Sequence, residues 1–164
     1  MTRPLNLTLL GATALLGACQ AQAPAAPAAV PHQVLHTGSQ CSTETPSVRR
    51  VTDATALRQI VQGRALGATV AVPAVDFERS LVLQVSIGPQ PNPGHGMSIT
   101  GARVEGASKR LVLDSVWVLP QPGRMYPMMV TLPCVVVSVP QGDYRSVAVV
   151  DAQGRERIAA TLAR

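Results

Sequence analysis

SLVLQVSIGPQPNPGHGMSITGARVEG, residues 80–106, reads as strand, stiff connection, strand, and it sets the fold class. From Ser80 the first run alternates, with Leu81, Leu83, Val85 and Ile87 on one face and Val82 on the other. Such a period of two marks a strand with a buried face. MSITGARVEG continues as a second strand. Between the two, glycines and prolines crowd Gly88 to Gly96 around His95. Glycine supplies positive φ and proline a preset φ, so Gly88, Pro91 and Gly96 predict a proline-stiffened hairpin connection. Gly88, Pro91, Asn92, Gly94, His95 and Gly96 then form an exposed binding loop, with His95 a solvated residue at its tip. A stiff tip loses little entropy when it binds.

Downstream, KRLVLDSVWVLP (109–120) has Leu111, Leu113, Val116 and Val118 as its apolar positions. VTLPCVVVSVP (130–140) is a nearly continuous apolar run containing Pro133. Proline cannot donate to a ladder, so the strand proper is expected from Cys134. YRSVAVVDAQGRERIAATL (144–162) reads as a closing hairpin whose turn is Asp151 to Gly154. Upstream, VTDATALRQIVQGR (51–64) is the one good helix candidate. Thr52 or Asp53 caps it, Ala56, Leu57, Ile60 and Val61 share a face, and Gly63 stops it. Turns rather than helices join the strands, which makes antiparallel pairing the economical arrangement. The expected fold is mostly β within the α+β class: an antiparallel sheet or sandwich with one short N-terminal helix packed on it.

MTRPLNLTLLGATALLGAC opens the chain with one cation, Arg3, and an apolar run too short for a permanent membrane span. Residues 1–18 read as a secretory signal peptide. Leu16-Gly17-Ala18-Cys19 resembles the lipobox of bacterial lipoproteins, which implies a diacylglycerol on Cys19 and acylation of the new N-terminus. An ordinary signal with a chance cysteine is the alternative. Two or three acyl chains anchor stably where one is marginal, so the bilayer is one expected partner. Gln20 stands where an aspartate would retain a lipoprotein in the inner membrane, which favours the outer membrane of a bacterial envelope. Residues 19–33 are an Ala/Pro tether, extended and partly stiff, and 34–164 a single β-rich domain. His32 and His36, four apart where the tether ends, have a chelating spacing but no neighbouring carboxylate or cysteine; the plain reading is two ordinary residues.

The roughly 130 residues after the tether suit one domain with one core. Fourteen basic and nine acidic residues give a formal +5, and Arg49-Arg50 and Lys109-Arg110 are the only adjacent basic pairs after the signal. Nucleic-acid binders cluster their cations or interleave them with aromatics, and the only aromatics here are Phe77, Trp117, Tyr126 and Tyr144. No nucleic-acid partner is expected. With Cys19 lipidated, Cys41 and Cys134 remain as an even pair in an oxidising compartment, expected as a disulfide; buried free thiols are the alternative.

The chain carries no nucleophile elbow, HExxH, Walker loop or dinucleotide fingerprint. Asp76 and Glu78 flank Phe77 and can meet on an extended segment, yet such a pair is more often a solvated strand entry. His95 and Asp76 are the only constellation a hydrolase reading has. No catalytic set, metal ligands or cofactor is expected, and the protein reads as no enzyme.

VTDATALRQIVQ, VDFERSLVLQVSIGPQPNPGHGMSI and the proline-terminated apolar strand follow one order along residues 51–140. Together they resemble the C-terminal domain of the PrcB family, subunits of a bacterial surface protease complex. Asp76, Phe77, Gly88, Pro91, Gly96 and Ile99 match its D-F step and glycine loop. Gln90 replaces the usual arginine, Met97 the usual tyrosine, and Pro93 to His95 lengthen the loop. The resemblance implies a non-catalytic binding or scaffold module that stabilises an envelope protease complex. The loop also resembles the N-P-T-T-G-Y loop of chagasin-type cysteine-protease inhibitors, which implies the alternative of an inhibitor acting through residues 88–100.

Overall fold

The computed structural model describes residues 27–162 apart from 42, 64–70 and 107. The expected signal peptide, Cys19 and the first part of the tether lie outside the described residues. The strands are β1 (Ala28–Ala29), β2 (Gln33–Gly38), β3 (Pro46–Val51), β4 (Ser80–Ile87), β5 (Gly96–Glu105), β6 (Arg110–Val118), β7 (Cys134–Pro140), β8 (Ser146–Val150) and β9 (Glu156–Thr161), with one helix, α1 (Ala54–Gln62), after β3. They form two sheets, ordered β1-β5-β6-β8-β9 and β2-β7-β4-β3. The protein is a mostly β, α+β sandwich with α1 on the outside of the second sheet.

The apolar patterning of β4 and β7 explains this layering. Leu81, Leu83, Val85 and Ile87 of β4, with Val135, Val137 and Val139 of β7, face Met97, Ile99, Leu111, Leu113, Val147 and Ile158 of the other sheet. On the reverse face Val82 and Val136 pack with Val51 beneath Leu57 and Val61 of α1. Both strands are thus covered on two sides, and a strand buried on two sides loses strict alternation and reads as a run. The expected helix face, Ala56, Leu57, Ile60 and Val61, is the one that packs.

Four expectations change. First, β4 and β5 do not form a hairpin: they lie in different sheets, so Gly88–His95 carries the chain across the sandwich. Their inward faces need each other as opposite walls of one core rather than as neighbours in one ladder. Second, the pairing is not wholly antiparallel, because β6 and β8 run parallel. Between them the chain crosses to the other sheet as β7, and two reversals bring it back in its original direction. Third, Val116 and Val118 are exposed, whereas Ser115 is buried and Trp117 packs on the core. The period of two simply continues inward from Leu113; Ser115 Oγ satisfies its burial by donating to Val150 O at 2.8 Å and accepts from Trp117 Nε1 at 3.1 Å. Fourth, the tether joins the fold before residue 34: Ala28 and Ala29 pair with β5, Val30 N donates to Ala102 O at 2.8 Å, and the Val30 side chain packs on the core.

Two aspartates hold the local turns. Asp53 caps α1 by accepting from the amides of Thr55 and Ala56, each at 2.9 Å. The Ala56 amide first, then the Thr52 hydroxyl and Thr55 amide, keep its carboxyl below the ordinary value. Asp151 organises the closing hairpin turn, accepting from Gln153 N and Arg155 N at 3.0 Å, with Gly154 at φ 75°. Burial pushes its carboxyl up, but the amides of Arg155 and Gln153 and the Arg155 guanidinium outweigh that and the net shift is down. A depressed folded-state pKa stabilises above the unfolded value, about 3.9 for aspartate, and that stability is lost as pH falls through the folded value. Melting temperature is therefore expected to hold from pH 7 to about 5 and to drop below about 4. Melts of the native chain beside Asp53→Asn/Asp151→Asn, whose acid limb should be shallower, check this.

Candidate functional site

The ends of β4, β6 and β8 and the starts of β5 and β7 meet at one end of the sandwich, as their register requires. Two loops dominate it, Gly88–His95 and Leu119–Pro133. They are stitched together at the backbone: Gln90 and Thr131 exchange both bonds, at 2.8 and 2.9 Å. Thr131 is fully buried and its hydroxyl donates to Asn92 O at 3.3 Å. Ile87 N donates to Pro133 O at 3.2 Å, and Leu132 bonds on to Ser39 and Cys41. Below the second loop Cys134 is bonded to Cys41, their Cα atoms 5.9 Å apart. The expected disulfide is formed, and it clamps the base of this loop.

The expected loop residues fall into distinct environments. Gly88 is buried at φ 75°, and a Cβ there would meet Pro46 Cδ at 2.9 Å. Pro91 is exposed, Asn92 half-buried, and the Asn92 carboxamide accepts from Gly94 N at 2.9 Å. Gly94 lies buried beneath the Tyr126 ring; its missing Cβ would stand 2.8 Å from Tyr126 Cε1 and Cζ. His95 is half-buried rather than a solvated tip, and Gly96 opens β5. Gly94→Ala is expected to force the two loops apart while the core stays intact. Proteolysis should then cut faster within residues 119–130, with melting lowered by only a few degrees; unchanged cleavage would refute the close approach.

Other candidates are not brought together. Asp76 accepts from Glu78 N and Arg79 N, at 3.0 and 3.3 Å, in the turn entering β4. That turn is at the opposite end of the sandwich from His95, so the pair a hydrolase would use is not assembled. His32 and His36 sit on an extended segment where four residues span about 13 Å; the spacing that chelates on a helix separates them here.

The exposed apolar surface at this end belongs to the second loop. Met125 and Met128 are 95% and 94% exposed; Leu119, Met129 and Val130 of the same loop are exposed too, as are Val116 and Val118 at the end of β6. Tyr126 links this surface to the first loop, since its hydroxyl accepts from Gln121 N at 3.2 Å and its ring covers Gly94. The Arg124 guanidinium lies 5.5 Å from the centre of that ring. Neither loop contains an acidic residue. Nearby, Arg157 lies 4.5 Å over the Trp117 ring, and Arg155 and Arg157 both bond Asp151. The sequence signal for the second loop is MYPMM, three methionines in five residues between prolines.

No protein-family model, no curated protein and no solved structure matches this chain. A cavity of about 360 Å³ beside α1 is lined in part by Arg49, Arg50, Gln59 and Gln84. The Gln84 amide there donates to Cys41 O at 3.2 Å and Thr43 Oγ1 at 3.3 Å, which ties the disulfide loop to β4. The two-loop end differs in kind: it presents apolar side chains outward on a braced backbone.

Proposed function

We propose that this chain is a lipid-anchored, non-catalytic binding module of a bacterial envelope, and that its two-loop end holds a protein partner. The observation that carries this is the near-complete exposure of Met125 and Met128 on loops braced by the Gln90–Thr131 bonds. Contiguous exposed apolar surface is characteristic of interaction sites, and methionine adapts to a partner's shape. Arg124 in the second loop and the lack of acids in both loops suit a partner surface that is apolar with an acidic rim. The described chain enters through Ala28 opposite Val104, near the end of the sandwich remote from these loops. An anchor at Cys19 thus supports presentation of the loops away from the bilayer. An envelope protease complex is the assembly suggested by the PrcB resemblance.

An inhibitor wedging residues 88–100 into a protease cleft is the second reading. The exposure of Pro89, Pro91 and Pro93 favours it, while the burial of Gly94 beneath Tyr126 limits what that loop can insert. The test is capture from detergent-solubilised envelope with the native chain and with Met125→Ser/Met128→Ser. Burying a methionine contributes about 1.5–3 kcal/mol, so the double variant is expected to recover the partner at least about tenfold less well. Equal recovery by both chains, or no protein recovered by either, sinks the proposal. Inhibition of a cysteine protease that survives the double variant transfers the function to the first loop.

A further inference from the structure

We infer that Met125 and Met128 are a reversible sulfur-oxidation site through which the two-loop surface is switched from apolar to polar; the consequence for binding rests on the contact reading above. Methionine sulfur is distributed unequally in this protein. Met97 is 4% exposed inside the core, Met129 is 51% exposed, and Met125 and Met128 stand almost entirely in solvent. Cys41 and Cys134 are already joined and are buried. The thioethers of Met125 and Met128 are thus the most accessible oxidisable sulfurs among the described residues.

The reactant class is a peroxide. A thioether lone pair attacks one peroxide oxygen and the O–O bond breaks. Sulfur is oxidised by two electrons to the sulfoxide, and hydrogen peroxide is reduced to water. A dithiol-dependent methionine sulfoxide reductase returns the thioether, forming water and a disulfide on the reductase. The product is polar and a strong hydrogen-bond acceptor, so it resists transfer into an apolar contact. Neither side chain packs in either core cluster. The Gln90–Thr131 backbone bonds and the Tyr126–Gly94 contact do not involve the sulfurs. Oxidation therefore changes the surface and leaves the fold in place. The same loops that present these residues to a partner present them to small oxidants, and a bound partner would shield them.

The test exposes the full-length protein, in detergent, to hydrogen peroxide and follows each methionine by peptide mass spectrometry. Met125 and Met128 should oxidise first, Met129 more slowly, and Met97 at least about twentyfold more slowly, since it reacts only on opening of the core. Surface polarity is read on a phenyl resin with the soluble chain from residue 20 onward, after its melting curve has shown that it folds. The oxidised chain and Met125→Gln/Met128→Gln should both elute earlier than the native chain, with melting unchanged to within about 2 °C. Methionine sulfoxide reductases of both stereochemical classes should restore the native elution. Oxidation of Met97 in step with Met125, unchanged elution after sulfoxide formation, or melting that collapses on oxidation each overturns the inference. Failure of the envelope capture alone, with the mass map and resin shift intact, overturns the contact reading and leaves the oxidation site standing.

Discussion

Replacing Cys41 and Cys134 together by alanine is expected to lower the unfolding free energy by about 4–5 kcal/mol. The bond joins residues 93 apart, so it closes most of the domain into one loop. In the chain-entropy model, removing it returns that closure entropy to the unfolded chain. At about 3–5 °C per kcal/mol for a domain of this size, the melting temperature should fall by about 12–25 °C. The native form should survive at low temperature, because Cys41 N still bonds Leu132 O at 2.9 Å and Leu132 N still bonds Ser39 O at 2.8 Å. Both sulfurs are buried, so reductant should act only on the unfolded chain and reproduce the effect in heated samples. Calorimetry of the double variant decides it. A fall of less than about 2 °C would mean that the unfolded chain is already compact.

Leu83→Ala is expected to destabilise by about 2–5 kcal/mol. Leu83 is fully buried on β4, the strand between β7 and β3, and it faces the opposite sheet. Truncation removes its transfer free energy and leaves a cavity between two hydrogen-bonded sheets that can close only in part. Val116→Ala is the control, since exposed substitutions lie within about 0.5 kcal/mol. Urea unfolding of the two variants compares them directly. Equal midpoints would contradict the placement of the main core. The pair also separates the two classes of apolar residue on which the functional reading depends, those that hold the sheets together and those the surface displays.

Much of the local structure was legible in the chain. Asp53, the face of Leu57 and Val61, and Gly63 located α1 because a cap, a 3.6 period and a stop signal all act within a few residues. Cys134 was legible as a strand start because Pro133 has no amide to donate. The unbroken run from Cys134 to Val137 held the further information that β7 is covered twice, although a run of this kind does not say by what. Ser115 hid the inward position between Leu113 and Trp117, because its burial depends on a carbonyl of β8, thirty-five residues later. The loop from Gly88 was legible as a stiff connection. Its neighbour from Leu119 to Pro133 was not legible as surface, since methionine, leucine and valine suit a core equally well.

By itself the sequence determined the inward face of β4, the helix and its caps and the turn at Asp151–Gly154. Each of these follows from backbone sterics or from periodicity over a short span. Only the tertiary structure decided that β4 and β5 belong to opposite sheets, that β6 lies parallel to β8, and that Met125 and Met128 remain outside. A period of two states that a face is apolar without naming its partner. That choice depends on which long-range closures bury the most surface at once, and the two-loop end is formed from what those closures left uncovered.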